Sequence, residues 1–185
     1  DAAKIVGCWN GLGKHVAAED GMDISADPQA MRTAIAFAQS IKHSRLLTAE
    51  FERISDDLGD QIGYLPALEA KHVDGTMNAL KRQTSLDWLK ADVGEGQCRI
   101  LTNARCLSEG IDVPALDAVV FFDTRESIVD IVQSVGRVMR KAEGKQFGYI
   151  ILPVCIPSER VKDYNNYIDS DPQFKGIWKV IKALR

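Results

Sequence analysis

The stretch RILTNARCLSEGIDVPALDAVVFFDTRESIVDIVQSVGRVMR, residues 99 to 140, decides how this chain is read. It runs as strand, glycine turn, strand, loop and basic helix. In its last part Ile128, Ile131, Val132, Val135, Val138 and Met139 recur at helical spacing and define a face to be buried. At about 100° per residue, Gln133, Arg137 and Arg140 fall within roughly 60° of one another on the opposite face. Gly136 lies beside them, where a close approach is possible. Guanidiniums held side by side suit a polyanion such as a triphosphate, because each offers a planar fork of donors and a charge that is not lost. Taken alone, the same residues would also serve as a solvated amphipathic helix whose terminal cations favour its dipole.

Working outward, CRILTNA (98–104) reads as a strand with Thr102, Asn103 and Arg105 at its carboxyl end. Ligands of open α/β sheets bind at that end. A hydroxyl, an amide and a guanidinium there can hold phosphodiester oxygens without reading bases, or can serve capping and turn chemistry. In the turn that follows, Gly110 allows close backbone approach. Asp112 can accept from a ribose hydroxyl, hold an arginine, or simply stabilise the turn before Pro114. AVVFFD (118–123) and GYIILPV (148–154) are nearly all apolar, as are strands of a parallel sheet covered on both faces.

Upstream, TAIAFA (33–38) reads as a buried strand. The helix after it carries Ile41, Leu47, Phe51, Ile54 and Leu58 on one side, which makes half of a βαβ unit. Gln39 and Ser40 stand just past the strand, and Ser40 is also a natural N-cap. AKHVDGTM (70–77) reads as strand and turn, with His72 structural rather than a metal or acid–base group. NALKRQTSLDWLKADV (78–93) reads as a helix with Leu80, Leu86, Leu89 and Val93 as apolar positions.

The first residues are less regular. KIVGCWNGL (4–12) reads as a short strand and turn, and the polar segment to Pro28 as a loop. GLGKH (11–15) lacks the first glycine of a phosphate loop, and His15 stands where a magnesium-binding hydroxyl belongs. No acidic DExx signature follows a strand. By itself the chain lacks the parts that hold a nucleotide's phosphates and magnesium.

Composition sets bounds. The 185 residues suffice for one full domain core with extensions, and 45% hydrophobic with 26% charged residues is ordinary for a soluble globular protein. No apolar run nears the roughly 20 residues that span a bilayer, and the N-terminus shows no signal-peptide pattern. The net charge is −3, so any nucleic-acid contact must be local rather than made by bulk charge. Cys8, Cys98, Cys106 and Cys155 are far apart in sequence, which argues against a zinc site or disulfide framework and suits a reducing cytoplasm. From Ser158 the chain turns polar. GIWKVIKALR (176–185) then presents Ile177, Val180, Ile181 and Leu184 as a stripe that needs a partner. The start without Met and the stop after this stripe suggest an excised fragment.

SEGIDVP (108–114) followed by QSVGRVMR (133–140) resembles motifs V and VI of superfamily 2 helicases and translocases. The fuller strings NARCLSEGIDVPALDAVVF and VGRVMRKAEGKQFGYIILP resemble the bacterial helicases related to type ISP restriction–modification enzymes, and more distantly the type I and III restriction translocases. The similarity extends to DAAKIVGCWNGL at the start and FKGIWKVIKALR at the end.

This resemblance implies an α/β fold, a mainly parallel sheet flanked by helices, of the second RecA-like kind. It divides the chain into a lead-in (1–30), the RecA-like domain with motifs IV, V and VI (31–156), and the start of a helical extension (157–185). It implies that ATP and Mg2+ bind between this domain and a first RecA-like domain bearing the Walker motifs. Arg137 and Arg140 would be arginine fingers, with Gln133 at the γ-phosphate or attacking water. Gly110 and Asp112 would meet the ribose edge, with Gly136 close to the nucleotide. Backbone contacts to nucleic acid, double-stranded DNA first, would come from Gln39, Ser40, Gly75, Thr76, Thr102, Asn103 and Arg105; no residue is expected to ligate a metal. Ser134 stands where many relatives carry Arg, leaving two arginines rather than three. The implied activity is a cytoplasmic ATP-dependent translocase, with this fragment inactive alone. An RNA helicase motor and a non-catalytic RecA-like adaptor are the alternatives.

Overall fold

The structure is a computed structural model that describes residues 2–14, 29–58, 65–104, 106, 116–123, 132, 136, 145, 147–163, 166, 167, 170, 175, 178 and 182. In chain order the elements are α1 (Ala2–Leu12), β1 (Thr33–Phe37), α2 (Ile41–Leu58), β2 (Ala67–Asp74), α3 (Ala79–Lys90), β3 (Gln97–Ala104), β4 (Ala118–Phe121) and β5 (Tyr149–Ile151). Ser158–Asp163 form a 3-10 helix. The strands make one five-stranded sheet in the order β2-β3-β1-β4-β5, and every pairing is parallel. This is the expected α/β architecture, with helices on both faces of an all-parallel sheet.

The register aligns the carboxyl ends of the strands. Phe37 stands opposite both Asn103 and Phe121, and Asp74 stands opposite Ala104. Residues just past these positions therefore gather along one edge, where open α/β sheets take their ligands.

The two faces are built differently. Side chains alternate along a strand, so Ala34, Ala36 and Ala38 point to one face while Ile35 and Phe37 point to the other. On the first face Ala70 and Ala118 extend a floor of alanines, and the bulk comes down from the helices as Trp9, Leu12, Leu47, Phe51 and Ile54. Small residues below leave room for the large ones above, as a close-packed layer requires. On the second face the sheet supplies the bulk. Phe37 and Phe121 stack with ring centroids 5.5 Å apart, and Leu86 and Leu89 of α3 join the same cluster.

Three sequence expectations are corrected here. Residues 4–12 are helix, not strand and turn: Ile5, Cys8, Trp9 and Leu12 are all buried at i, i+3, i+4 and i+7, one helical stripe. The Trp9 indole N–H donates to the Pro66 carbonyl at 2.8 Å, tying α1 to the start of β2. The early part of the lead-in thus supplies core. Leu80, expected as an apolar position of α3, is 76% exposed, and Val132, expected on the buried face of its helix, is 48% exposed. Leu80 falls in the first turn of α3, before the helix meets the sheet with Leu86 and Leu89. No described helix is long and apolar enough to cross a membrane.

Candidate nucleic-acid interface

The carboxyl edge of the sheet carries Gln39, Ser40, Gly75, Thr76, Thr102 and Asn103. Where β1 ends, Gln39 and Ser40 are exposed and lead into α2. The Ser40 hydroxyl oxygen accepts the His43 backbone N–H at 3.1 Å, so Ser40 is the N-cap of an 18-residue helix. That bond uses an oxygen lone pair and leaves the hydroxyl proton available to donate. The Gln39 backbone N–H donates to Asp123 Oδ2 at 2.9 Å, and the same oxygen lies 2.6 Å from His43 Nδ1. Asp123, just past β4, thereby pins the entrance of α2 to the neighbouring strand end.

A second cluster lies where β2 turns toward α3. Asp74 has no exposed surface, yet four donors converge on its carboxylate. The Thr76 backbone N–H donates to Oδ1 at 2.8 Å, and the Thr76 hydroxyl donates to the same oxygen. His72 Nε2 lies 2.7 Å from Oδ2, and Arg45 Nη2 donates to it at 3.0 Å. Led by the Thr76 hydroxyl, these bonds outweigh the effect of burial and hold the Asp74 carboxyl well below the usual carboxylate range. An ionised carboxylate only accepts, so His72 Nε2 carries the proton it shares.

Thr102 completes the cluster from β3. Its hydroxyl donates to the Ser44 carbonyl at 3.0 Å and lies 2.9 Å from Ser44 Oγ and 2.6 Å from Thr48 Oγ1. Ser44 Oγ is in turn 2.7 Å from His72 Nδ1. A continuous polar chain therefore joins α2, β2 and β3 beneath the edge. The order Ser44, His72, Asp74 imitates a nucleophilic triad in outline. Ser44 has no exposed surface, however, and a buried hydroxyl meets no substrate.

The structure divides the predicted contacts. Gln39, Ser40, Gly75 and Thr76 lie exposed along one edge. Thr102 and Asn103 have no exposed surface. A direct phosphate bond from Thr102 would require its hydroxyl to leave Ser44 and Thr48. Asn103 Nδ2 donates to the Ala36 carbonyl at 3.1 Å, while its Oδ1 is buried without a partner. Both donors of Thr76 already serve Asp74, which leaves its hydroxyl oxygen as an acceptor. Gly136 is exposed in helical backbone, and a Cβ there would meet nothing within 4 Å beyond its own helix backbone and chain neighbours. Arg105, Gly110, Asp112, Gln133, Arg137 and Arg140 lie outside the described residues. Sequence reasoning passed over Arg45, His43 and Asp123. Their signal was position: a helix starting at the carboxyl edge puts the side chains of its first turns there.

The profile of the helicase conserved C-terminal domain family matches residues 19–142. The chain belongs to that family. Over its whole length this helicase C-terminal domain is similar to the ATP-dependent Type ISP restriction-modification enzyme LlaBIII, solved bound to DNA, with 39% identity and a TM-score of 0.79. It is 35% identical over 127 residues, 69% of the chain, to the probable helicase of African swine fever virus. Domain 2 of the DEAD-box helicase Mss116p, solved on an RNA duplex, aligns with 98% of the chain and 65% of its own at a TM-score of 0.52; at 16% identity it shares the fold alone. The domain spans 12% of the restriction enzyme chain and 13% of the viral helicase.

Proposed function

We propose that this domain is the second motor half of an ATP-dependent superfamily 2 translocase acting on double-stranded DNA in a restriction–modification or related defence enzyme. The likeness to a DNA-bound Type ISP enzyme across the whole chain carries this reading. Exposed Gln39, Ser40 and the Gly75–Thr76 turn form the DNA-facing edge. The buried Thr102 hydroxyl and Asn103 amide position that edge from below.

ATP, with Mg2+ held mainly by a first RecA-like domain, supplies the phosphoryl group whose hydrolysis drives movement. On this side Arg137 and Arg140 stabilise charge developing on that group, and Gln133 orients the water. Gly110 and Asp112 meet the ribose. Gly136, which is exposed, stands close to the phosphate chain. Arginine fingers contribute on the order of 10³–10⁵ in rate.

The test is ATPase activity of the intact protein with and without duplex DNA, for wild type and Arg137→Ala. The reading requires duplex-stimulated hydrolysis that falls at least about a hundredfold in the variant. An unchanged variant rate would remove the finger assignment, and RNA-selective stimulation would redirect the reading to an RNA motor.

A further inference from the structure

We propose that Arg45 is a phosphodiester contact of the DNA-facing edge, held in place by Asp74; the inference rests on the nucleic-acid reading above. Arg45 lies on α2 one turn past Ser40 and shares the Asp74 carboxylate with Thr76. It therefore stands between the two exposed segments already assigned to the edge. Its side chain is 60% exposed while its carboxylate partner is fully buried. Among the described residues Asp74 is its only polar partner. A guanidinium has five N–H donors, so anchoring one leaves most of the fork turned to solvent with its direction fixed.

The arrangement differs from an ordinary surface ion pair. A pair of two exposed side chains is mobile and contributes little. Here one partner is immobile, held by His72 and by both donors of Thr76. The guanidinium's orientation is thus set before a ligand arrives, which lowers the ordering cost of binding. The overall charge of −3 makes a few local cations decisive, and Lys42 adds an exposed ammonium on the same turn. The chemistry that fits is the non-bridging oxygens of a nucleic-acid backbone, taken by charge and fork without base reading.

The experiment measures binding of a fluorescein-labelled DNA duplex to the intact protein by anisotropy across a salt series. The variants are Arg45→Ala, Arg45→Lys and, as a charge-matched control on the same helix, Arg53→Ala. Arg53 pairs with Glu50 and Asp57 well away from the edge. Arg45→Ala should weaken binding about tenfold at low salt and reduce the log–log salt slope by about 0.9, one phosphate contact. Arg45→Lys should keep the slope and lose part of the affinity, because the charge stays and the fork is gone. Arg53→Ala should behave as wild type. Matching results for Arg45→Ala and Arg53→Ala in both affinity and slope would overturn the assignment while leaving the motor reading intact. A wild-type protein that does not bind the duplex overturns the motor reading, and this one with it.

Discussion

His72 Nε2 stands 2.7 Å from Asp74 Oδ2, two residues further along the same strand. The period of two places both side chains on the face that α2 covers. The pair faces inward, toward Ser44 and Thr102, and so acts as a brace under the turn at Gly75–Thr76.

The brace makes stability depend on pH in one direction. Asp74 titrates below its ordinary value in the folded state, so its contribution is complete above the unfolded value of about 3.9 and is lost as pH falls below it. The difference in Tm between wild type and Asp74→Asn should be constant above about pH 5 and narrow below about pH 4. A gap that persists undiminished at low pH would show that the carboxylate charge is not what stabilises the turn.

Thr102 separates the structural reading from the sequence one. Thr102→Val keeps the volume and leaves the hydroxyls of Ser44 and Thr48 short of a partner. Urea unfolding should record a loss of about 1–3 kcal/mol, with the salt slope of DNA binding unchanged. A loss of duplex affinity without loss of stability would instead mean that the hydroxyl itself holds a phosphate, an uncharged contact that leaves the slope alone.

Trp9 tests whether α1 is part of the fold. Its ring is 1% exposed and its N–H is committed to Pro66. Trp9→Phe should cost about 1–3 kcal/mol through the orphaned carbonyl, and Trp9→Ala about 3–5 kcal/mol through the cavity. If Trp9→Ala unfolds at the wild-type denaturant midpoint, α1 is an appendage.

The strands were legible because a doubly covered parallel sheet leaves nearly continuous apolar runs, as in Ala118–Phe121. Helices α2 and α3 were legible from their periodic stripes. Helix α1 differs from the strand and turn expected over 4–12, although Ile5, Cys8, Trp9 and Leu12 have helical spacing in the sequence. The site was legible in part. Exposed residues beyond strand ends, Gln39, Ser40, Gly75 and Thr76, follow from the strand–turn pattern alone. Thr102 and Asn103, read at the carboxyl end of their strand, have no exposed surface, because a parallel strand buries both faces. The role of Arg45 depends on a carboxylate 29 residues later in the chain, and no local pattern announces that pairing.

The strand order has a consequence for how the domain is made. Strand β1 is translated before the other strands, yet it must wait for both neighbours, pairing with β3 from Thr33↔Arg99 and with β4 from Ala34↔Ala118. At about 5–20 residues per second, roughly 3–13 s pass on the ribosome before Arg99 exists to meet it. Helices α1 and α2 flank β1 in sequence and can shelter its alanine face early. Ile35 and Phe37 gain no cover until later segments emerge. The nascent chain therefore passes through an interval in which a central strand destined for burial is uncovered and adhesive, and the yield of soluble protein should be set by how that interval is managed.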